Sequence, residues 1–328
     1  MDRQQILELT GGFRPACVIG AAADLDLWTN LGEQSLSAQQ LADRLQCDLR
    51  GLTMLLDAVA ALGLLEKHDA QYSTPGPLRP WLVANSSGTL LPMLQHLSNL
   101  IRGWSNLAWT AKAGFPAPRP GSIRGAEADR ASFIAAMHSI SGPMADDLVR
   151  QLGPPQFHHL LDVGGASGTW TLAFLHAVAD SKATIFDLPD AVSQARQRIS
   201  GNELGSRVTL VPGDFYRDEL PDGADFAWVS AICHQHSREH NRELFAKVHR
   251  ALIPGGRIAI RDIVLEPSRT SPREGALFAI NMLVNTETGG CFTLEEYSAD
   301  LKAAGFVDVV LAVRHEAMNS VVMARKPT

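Results

Sequence analysis

The stretch from Leu160 to Asp190, LLDVGGASGTWTLAFLHAVADSKATIFDLPD, limits the possible folds of this chain more than any other. An apolar run precedes three glycines, apolar residues recur at helical spacing after them, and a short apolar run covers residues 183–186. The stretch therefore predicts a strand, a glycine-rich turn, a helix and a second strand. An acidic residue accompanies each predicted strand, Asp162 in the first and Asp187 after the second.

The glycine-rich turn predicts a binding site for a nucleoside-containing cofactor. Gly164, Gly165 and Gly168 leave the turn without side chains, and the first backbone N–H groups of the following helix are free to bind an anionic group. Asp187 lies 19 residues beyond Gly168, where the end of a neighbouring parallel strand brings a carboxylate to a ribose diol. The alternative is a tight strand-to-helix connection that binds nothing.

The order of the glycines indicates which nucleoside is bound. A dinucleotide fingerprint needs G-x-G-x-x-G, whereas Ala166 and Thr169 follow Gly164 at the second and third glycine positions, which disfavours NAD. The order Asp162-x-Gly164-x-Ala166-x-Gly168 instead resembles the first motif of S-adenosylmethionine-dependent methyltransferases of the Rossmann-like class. Alanine stands in place of the usual middle glycine.

The composition is that of an ordinary globular protein. The 328 residues suit two domains, and 45% of them are hydrophobic and 20% charged. A net charge of −6 argues against nucleic acid as a partner. No run approaches a membrane span and the first residues lack the apolar core of a signal peptide, so we expect no membrane partner and a cytoplasmic location. Four cysteines without a CxxC pair favour free thiols.

Residues 1–90 predict a winged-helix-like domain. Helical patterns run to about residue 31, Ser37 begins a short helix with a capping box, a longer helix covers residues 49–62, and residues 64–75 predict a β-hairpin. Winged helices often bind DNA, but residues 1–80 contain six basic and ten acidic residues, which leaves no positive face for phosphates. Helices this apolar are better explained by burial against a second copy of the chain, so we predict a homodimer.

Residues 91–153 predict helices that link the two domains and line a substrate pocket. Phe133 and Met137 share one face of the last helix, which follows the proline-rich break FPAPRPGS. Such side chains are most often plain core, and the functional alternative is the lining of an apolar acceptor pocket. Pro154-Pro155 predicts the domain boundary near residue 153.

Residues 154–328 predict a mostly parallel sheet, because single helices separate successive strands. Helices are predicted at 188–199 and 237–252, and strands at 208–211, 224–232 and, after a Pro254-Gly255-Gly256 turn, 257–265. Thr293 begins a further helix, and residues 307–311 and 320–324 predict a closing pair of strands.

Polar residues that follow the strands are candidates for binding and catalysis. Asp214 and Phe215 follow the third strand, where a carboxylate and a ring could contact an adenine; a turn aspartate is the alternative. His234 follows the fourth strand and is our candidate general base, and Asp262 on the next strand would orient its imidazole. The alternative for Asp262 is an ion pair with Arg261 or Arg269.

A metal site at His234, His236 and His240 is disfavoured. Histidines two and four residues apart across a strand-to-helix turn do not share a face, and no nearby cysteine or carboxylate completes a ligand set. We therefore predict no metal, one catalytic histidine and two histidines that face solvent.

Several motifs in one order carry a family resemblance over nearly the whole chain: LLDVGGASG, FDLP, GDFY, ICHQHSRE, PGGRIAIRDIVL and AAGF. Together they resemble the dimeric, metal-independent O-methyltransferases that include plant caffeic acid and acetylserotonin O-methyltransferases and bacterial polyketide-tailoring enzymes. The resemblance implies a Rossmann-like class I methyltransferase domain with a mostly parallel seven-stranded α/β sheet and an α-helical winged-helix N-terminal dimerisation domain. The domains would be 1–90 for dimerisation, 91–153 for the linker and pocket helices, and 154–328 for catalysis.

The resemblance also implies roles for residues. It places Ser230 near S-adenosylmethionine, His234 as the base that deprotonates the acceptor hydroxyl, and Asp262 where a glutamate usually supports this base. S-adenosylhomocysteine would be the product. The predicted cofactor site, from motif and resemblance together, consists of Asp162, Gly164, Gly165, Asp187, Leu188, Asp214, Phe215 and Ser230.

Three departures from the family pattern surround the base. Gln235-His236 replaces the usual aspartate-tryptophan pair after the catalytic histidine. The second supporting glutamate, expected after Gly289-Gly290, is absent, and Cys291-Phe292 stand in a shortened segment. Asp262 is a shorter support than glutamate.

The sequence predicts an S-adenosylmethionine-dependent methyltransferase that acts on a hydroxyl of an apolar, aromatic small molecule. Phe13, Phe133, Met137, Met282 and Asn285 are the predicted pocket residues. C- or N-methylation on the same scaffold and a relative that binds the cofactor without transferring methyl remain alternatives. A winged-helix regulator and a nicotinamide-dependent oxidoreductase are disfavoured by the charge distribution and the glycine order.

Overall fold

The computed structural model describes residues 1–328 except Pro154, Pro155 and Ala166. It also leaves the side chains of residues 134, 138–141, 143 and 197 undescribed. The middle position of the glycine motif and the predicted Pro154-Pro155 boundary therefore lie outside the described residues. The chain forms two compact units, one of residues 1–106 with 118–140 and one of residues 107–117 with 141–328.

The N-terminal unit consists of helices and one small sheet. Its elements are α1 (Arg3–Gly11), α2 (Phe13–Asp24), α3 (Leu27–Leu31), β1 (Leu36–Ser37), α4 (Ala38–Leu45), α5 (Leu49–Ala61), β2 (Glu66–His68), β3 (Gln71–Ser73), α6 (Arg79–Leu82) and α7 (Leu91–Trp104). β2 and β3 form the predicted hairpin, and β1 pairs with β3. The predicted capping box at Ser37 is present at the start of α4.

Burial separates α1 from the rest of this unit. Trp28, Leu56 and Tyr72 are buried in its core, and the Trp28 indole N–H donates to the Leu64 carbonyl at 3.1 Å. α1 contains no buried residue, although it begins with a complete capping box at Asp2. Its large apolar side chains, those of Ile6, Leu7 and Leu9, are exposed.

The expectation that no run approaches a membrane span was wrong for one described stretch. By length and composition alone, Arg3–Asp24, which joins α1 and α2, passes as a candidate. The second half of this stretch belongs to the core of the unit, because Gly20, Ala22 and Ala23 are buried and a Cβ on Gly20 would lie 2.9 Å from Ser98 of α7.

The second unit is built on a seven-stranded sheet, as predicted, in the order β11-β12-β8-β7-β4-β5-β6. Its strands are β4 (His159–Val163), β5 (Lys182–Asp187), β6 (Val208–Pro212), β7 (Ala224–Ser230), β8 (Leu252–Asp262), β9 (Val264–Leu265), β10 (Phe292–Thr293), β11 (Val307–Val313) and β12 (Ser320–Arg325). β4 to β8 pair in parallel, whereas β12 is antiparallel to β8 and β11. The short β9 and β10 pair separately in parallel.

Helices cover both faces of this sheet. The helices of this unit are α8 (Leu107–Ala113), α9 (Ala126–Leu152, which begins in the N-terminal unit), α10 (Thr169–Ala177), α11 (Pro189–Ile199), α12 (Arg238–Ala251), α13 (Arg273–Asn285) and α14 (Leu294–Ala303). Alternate residues of β8 enter two separate apolar cores, so that Ile258 and Ile260 belong to one and Ala259 to the other. A parallel sheet covered on both faces explains the near-continuous apolar strands of the sequence.

Two features of this unit differ from the prediction. β8 begins at Leu252, so the Pro254-Gly255-Gly256 segment lies within the strand, which ends at Asp262, and β9 follows as a separate strand. α13 was not predicted, although its alanine, leucine and methionine residues after Pro272 favour a helix. It carries Phe278 and the predicted pocket residues Met282 and Asn285.

Candidate active site

The glycine-rich turn joins β4 to α10 and needs glycine for steric reasons. Gly164 has φ +70°, and a Cβ there would lie 2.5 Å from Cδ1 of Ile232. Gly168 has φ +72°, and its Cβ would meet Ile199 at 2.9 Å. The Gly164 N–H donates to the Phe186 carbonyl at 2.8 Å, which holds the turn against the end of β5. The glycine-rich turn therefore requires residues without a side chain at Gly164 and Gly168.

Asp162 is a buried carboxyl beneath this turn. It is 1% exposed, and the Thr171 hydroxyl of α10 donates to Oδ2 at 2.6 Å. Oδ1 has no hydrogen-bond partner among the described residues. The pKa of Asp162 is raised to about 7, mainly by burial; the Thr171 hydrogen bond opposes this rise and the charge of Asp187 adds to it. A Cβ on Gly165 would lie 2.7 Å from the Asp162 Cγ, so glycine is needed there too.

The other predicted cofactor acids lie at the same carboxyl edge. Asp187 ends β5, where the Leu188 N–H donates to Oδ1 at 2.7 Å, and the Leu188 side chain is 53% exposed. Asp214 follows β6, and its Oδ1 accepts from the Tyr216 N–H at 2.9 Å. Arg217 Nε lies 3.7 Å from Asp214 Oδ2. The Asp214 carboxylate thus also stabilises its own turn.

A sharp turn at the end of β7 brings His234 to the edge. Ser230 is the last residue of β7, and Ala231 has φ +58°, a conformation that is uncommon for residues other than glycine. The Ala231 N–H donates to the Arg261 carbonyl at 2.9 Å, and a 3₁₀ turn follows at Cys233–Gln235. The chain therefore turns within four residues from the strand to the base.

His234 and Asp262 form a buried pair with a defined orientation. His234 Nδ1 lies 2.8 Å from Asp262 Oδ1, and the His234 backbone N–H donates to Oδ2 at 3.1 Å. The Ile263 N–H also donates to Oδ1 at 2.8 Å. Because Nδ1–H faces the carboxylate, Nε2 is the acceptor nitrogen. The ion-pair alternative for Asp262 does not hold: Arg269 contacts Glu296 and the Cys291 carbonyl instead.

Backbone and aromatic contacts hold His234 where sequence reasoning expected a second glutamate. The Gly290 N–H donates to the His234 carbonyl at 2.8 Å, and a Cβ on Gly289 would lie 2.5 Å from the same oxygen. The ring of Phe278 on α13 packs edge-on to the imidazole, with centroids 4.9 Å apart. The shortened segment thus supplies a backbone N–H donor. The feature of the sequence that marks this donor is the Gly289-Gly290 pair.

His236 is half-buried, so the prediction that it faces solvent was wrong. The Tyr216 hydroxyl bonds to its Nδ1. The pKa of His236 is lowered to about 4, mainly by burial, with smaller contributions from nearby His240 and His234. His236 is therefore neutral at pH 7. Within the described part of the chain, no three His, Cys, Asp or Glu residues are arranged to hold a metal ion.

The predicted pocket residues fall in both units. In the N-terminal unit Phe13 begins α2, and Phe133 and Met137 lie on α9; all three are exposed. In the second unit Met282 is buried and Asn285 ends α13, where its side-chain amide donates to the Asn281 carbonyl at 2.7 Å. The pocket assignment stays a prediction.

The chain matches two family models. Residues 95–307 match the O-methyltransferase domain, and residues 7–79 match the O-methyltransferase dimerisation domain. The dimerisation match includes most of the apolar stretch Arg3–Asp24.

Relatives and solved structures are similar along the whole chain. The tetracenomycin polyketide synthesis 8-O-methyl transferase TcmO of Streptomyces glaucescens is 29% identical over 93% of this chain and 91% of its own length. The N,N-dimethyltransferase OxyT of Streptomyces rimosus is 27% identical over 92% and 90%. The structure of PigF with SAH has a TM-score of 0.87 at 24% identity and covers 99% of this chain and 100% of its own.

The structure of human N-acetylserotonin methyltransferase in complex with SAM has a TM-score of 0.81 at 25% identity and covers 100% of this chain and 99% of its own. The two family matches together span most of the sequence, and the seven-stranded sheet with its glycine turn has the expected architecture. The chain belongs to the S-adenosylmethionine-dependent O-methyltransferase family and carries that family's dimerisation domain.

Proposed function

We propose that this protein transfers a methyl group from S-adenosylmethionine to a hydroxyl of an apolar, aromatic small molecule, with His234 as general base and without a metal ion. The observation that carries the proposal is the buried His234–Asp262 pair, with Nδ1 2.8 Å from Oδ1, in the same unit and at the same sheet edge as the glycine turn. A metal-dependent alternative lacks a ligand set among the described residues.

The residues at the edge fit an adenosyl amino acid. Gly164 and Gly165 leave room that a Cβ would fill, and beneath them Asp162 has a buried oxygen that no described residue contacts by a hydrogen bond. We assign the ribose to Asp187, because it ends the strand next to the glycine turn. The exposed side chain of Leu188 and the ring of Phe215 supply apolar surface for an adenine. Asp214 would accept from the adenine amine, and Ser230 lies at the opposite end of the site.

The His234 Nε2 accepts the proton of the acceptor hydroxyl as the oxygen becomes a nucleophile. Asp262 holds the ring in the required tautomer and stabilises the imidazolium that forms. Bound S-adenosylmethionine supplies an electrophilic methyl group on a sulfonium sulfur. The Gly290 N–H and the ring of Phe278 limit the movement of His234, which supports positioning as part of the rate enhancement.

We propose that the enzyme acts as a homodimer through its N-terminal unit. The dimerisation match at residues 7–79 supports this assignment. α1 presents Leu7 and Leu9 to solvent with no residue buried, and a second copy of the chain would cover this face. Sedimentation of the purified protein tests it, and a monomer at micromolar concentration would contradict it.

Titration calorimetry with S-adenosylmethionine, S-adenosylhomocysteine and NADH tests the cofactor assignment. We expect binding of both adenosyl ligands and none of NADH. A panel of phenols, catechols and hydroxylated polyketides, incubated with labelled cofactor, then tests the acceptor class. Methyl transfer to none of these, with intact cofactor binding, would overturn the acceptor assignment alone.

N-methylation is the second candidate, with C-methylation as a further possibility on the same scaffold. The base has one carboxylate, Asp262, and the segment at residues 286–293 contributes a backbone donor in place of a second acid. A neutral amine needs no proton removed before it attacks, so weaker support of the base matters less for it. The relative OxyT, an N,N-dimethyltransferase, supports this candidate. An acceptor panel that includes aromatic amines distinguishes the two.

A further inference from the structure

Arg261 is a buried cation whose partners among the described residues are all neutral. It precedes Asp262, the last residue of β8, and is 3% exposed. Nε donates to Asn319 Oδ1 at 2.8 Å, Nη1 donates to Ser230 Oγ at 3.1 Å, and Nη2 lies 4.0 Å from the sulfur of Met144. Its guanidinium stacks on Trp170 at 4.5 Å from the ring centroid.

This arrangement leaves the charge without an anion. Among the described residues no carboxylate forms an ion pair with Arg261, and the neighbouring Asp262 is engaged by the His234 pair on the other side of the strand. Burial lowers the pKa of Arg261 to about 10, so the guanidinium is still charged at neutral pH. Buried arginines are rare without a partner charge, because removing the ion from water is costly.

The position of Arg261 matches one end of an extended adenosyl amino acid. Along the sheet the order is β6, β5, β4, β7 and β8, and Asp214, Asp187, Gly164 and Ser230 follow or end the first four. Ser230 and Arg261 are paired across β7 and β8. From β6 to β7 there are three strand spacings, about 14 Å. With the adenine over β6 and the ribose over β5, the amino-acid end reaches the Ser230–Arg261 pair.

The Asp162 carboxyl is a second group that the described residues do not fully satisfy, and it lies against α10, the helix that carries Trp170. Thr171 of α10 donates to the buried Asp162, whose Oδ1 has no partner in the described part of the chain, and the preceding residue, Trp170, stacks on Arg261. A carboxyl oxygen that lacks a donor and a guanidinium that lacks an anionic partner, both against α10, match the ammonium and carboxylate of a free amino acid.

We propose that Arg261, together with Ser230, binds the α-carboxylate of the methionyl or homocysteinyl end of the cofactor. This inference rests on the proposed function and goes beyond it, because it assigns the anion-binding residue of the site to a strand end outside the glycine motif. Through this contact Arg261 positions the amino-acid chain and so the sulfonium next to His234.

The experiment compares two ligands that differ only in the carboxylate. Titration calorimetry measures the Kd of S-adenosylhomocysteine and of its decarboxylated analogue, S-adenosyl-3-thiopropylamine, for the wild-type dimer. We expect the wild type to prefer S-adenosylhomocysteine by about 10- to 100-fold, since a buried charge pair is lost with the carboxylate. Equal affinities for the two ligands would overturn the inference.

The variant Arg261→Met then assigns this preference to the guanidinium. We expect it to bind S-adenosylhomocysteine about 10- to 100-fold more weakly and the decarboxylated analogue within about 3-fold of wild type. Arg257→Met is the matched control, because Arg257 lies four residues earlier on the same strand and is exposed. Weaker binding of both ligands by the same factor would mean that Arg261 only supports the fold, and would overturn the inference.

Two further outcomes are separable. If Arg261→Met does not fold, Arg261→Lys keeps the charge while losing the fork of donors, and it should keep part of the preference. A full preference in either folded variant contradicts the role of Arg261. If the wild type binds neither adenosyl ligand, the proposed function itself is wrong.

Discussion

Arg261 and Asp262 are consecutive charged residues that differ in how well the protein satisfies their charges. Asp262 accepts from the His234 ring, the His234 backbone and the Ile263 N–H, so the protein alone satisfies its charge. Arg261 contacts a hydroxyl, an amide oxygen, a thioether and an indole, and none of these is an anion. The side of the strand end that we propose for proton transfer is therefore complete within the protein. The side that we propose for the cofactor carboxylate has no anion of its own among the described residues.

Asp162 belongs with Arg261 in this comparison. Its carboxyl is as buried as that of Asp262, but among the described residues it has one hydroxyl donor and one oxygen without a partner. Burial raises the pKa of Asp162 to about 7. The two carboxyls are thus equally buried and differ in the number of donors that reach them.

The comparison is tested most strongly at the base. His234→Ala should lower turnover by roughly 100-fold or more, because it removes the proposed acceptor of the hydroxyl proton. Binding of S-adenosylhomocysteine should stay within about 3-fold of wild type by calorimetry, since the assigned cofactor residues are intact. His176→Ala, an exposed histidine at the end of α10, is the control and should keep full activity. Undiminished turnover in His234→Ala would remove this residue from the mechanism.

Asp262→Asn separates the charge of the support from its shape. We expect turnover to fall roughly 10- to 100-fold, because the amide cannot stabilise the imidazolium. Turnover within about 3-fold of wild type in Asp262→Asn would show that Asp262 does not act through His234.

Asp162→Asn tests how the under-satisfied carboxyl of Asp162 affects the pH dependence of the free energy of unfolding. The folded-state pKa of about 7 lies above the ordinary value of 3.8, so between these pH values the folded chain retains a proton that the unfolded chain has lost. The contribution of Asp162 to stability therefore falls as pH rises from about 4 to about 7, by roughly 3 to 4 kcal/mol. The variant should lose this dependence.

Urea unfolding of wild type and Asp162→Asn at about pH 4.5 and about pH 7.5 measures this effect. Relative to wild type, the variant should be more stable at the higher pH than at the lower. Asp180→Asn, the same change at an exposed turn, is the control. An unchanged difference between the two pH values would mean that Asp162 is ionised in the folded chain throughout.

The smallest effect is expected at His236. Because its pKa is lowered to about 4, it is already neutral in the range where His234 works. His236→Gln should change turnover by less than about 3-fold and leave the pH profile of kcat/KM in place. A loss as large as that of His234→Ala would show that the two histidines act as a pair.

Local sequence patterns predicted much of the fold and the elements of the site. The capping boxes at Ser37 and Thr293 begin α4 and α14 as predicted, since they depend on residues three positions apart. The parallel sheet followed from alternating apolar runs and helices. The positions of Asp187, Asp214 and His234 at strand ends followed from the same alternation. Their roles in binding and catalysis stay proposals.

Other features needed the tertiary structure. The Gly290 donor to His234 and the contact of Phe278 with the imidazole join residues more than 40 positions apart along the chain, and no local pattern marks them. The half-burial of His236 likewise depends on Tyr216, which follows a different strand.

The sequence by itself determined the family, the order of strands and helices along the chain, and which residues stand at strand ends, because these depend on motifs and periodicity. Only the tertiary structure decided which of those residues are satisfied. The sequence left open whether Arg261 pairs with its neighbour Asp262. In the structure they do not pair, because successive residues of a strand face opposite sides of the sheet. In the structure Asp262 pairs with His234, whereas Arg261 has no anionic partner and Asp162 Oδ1 has no donor among the described residues.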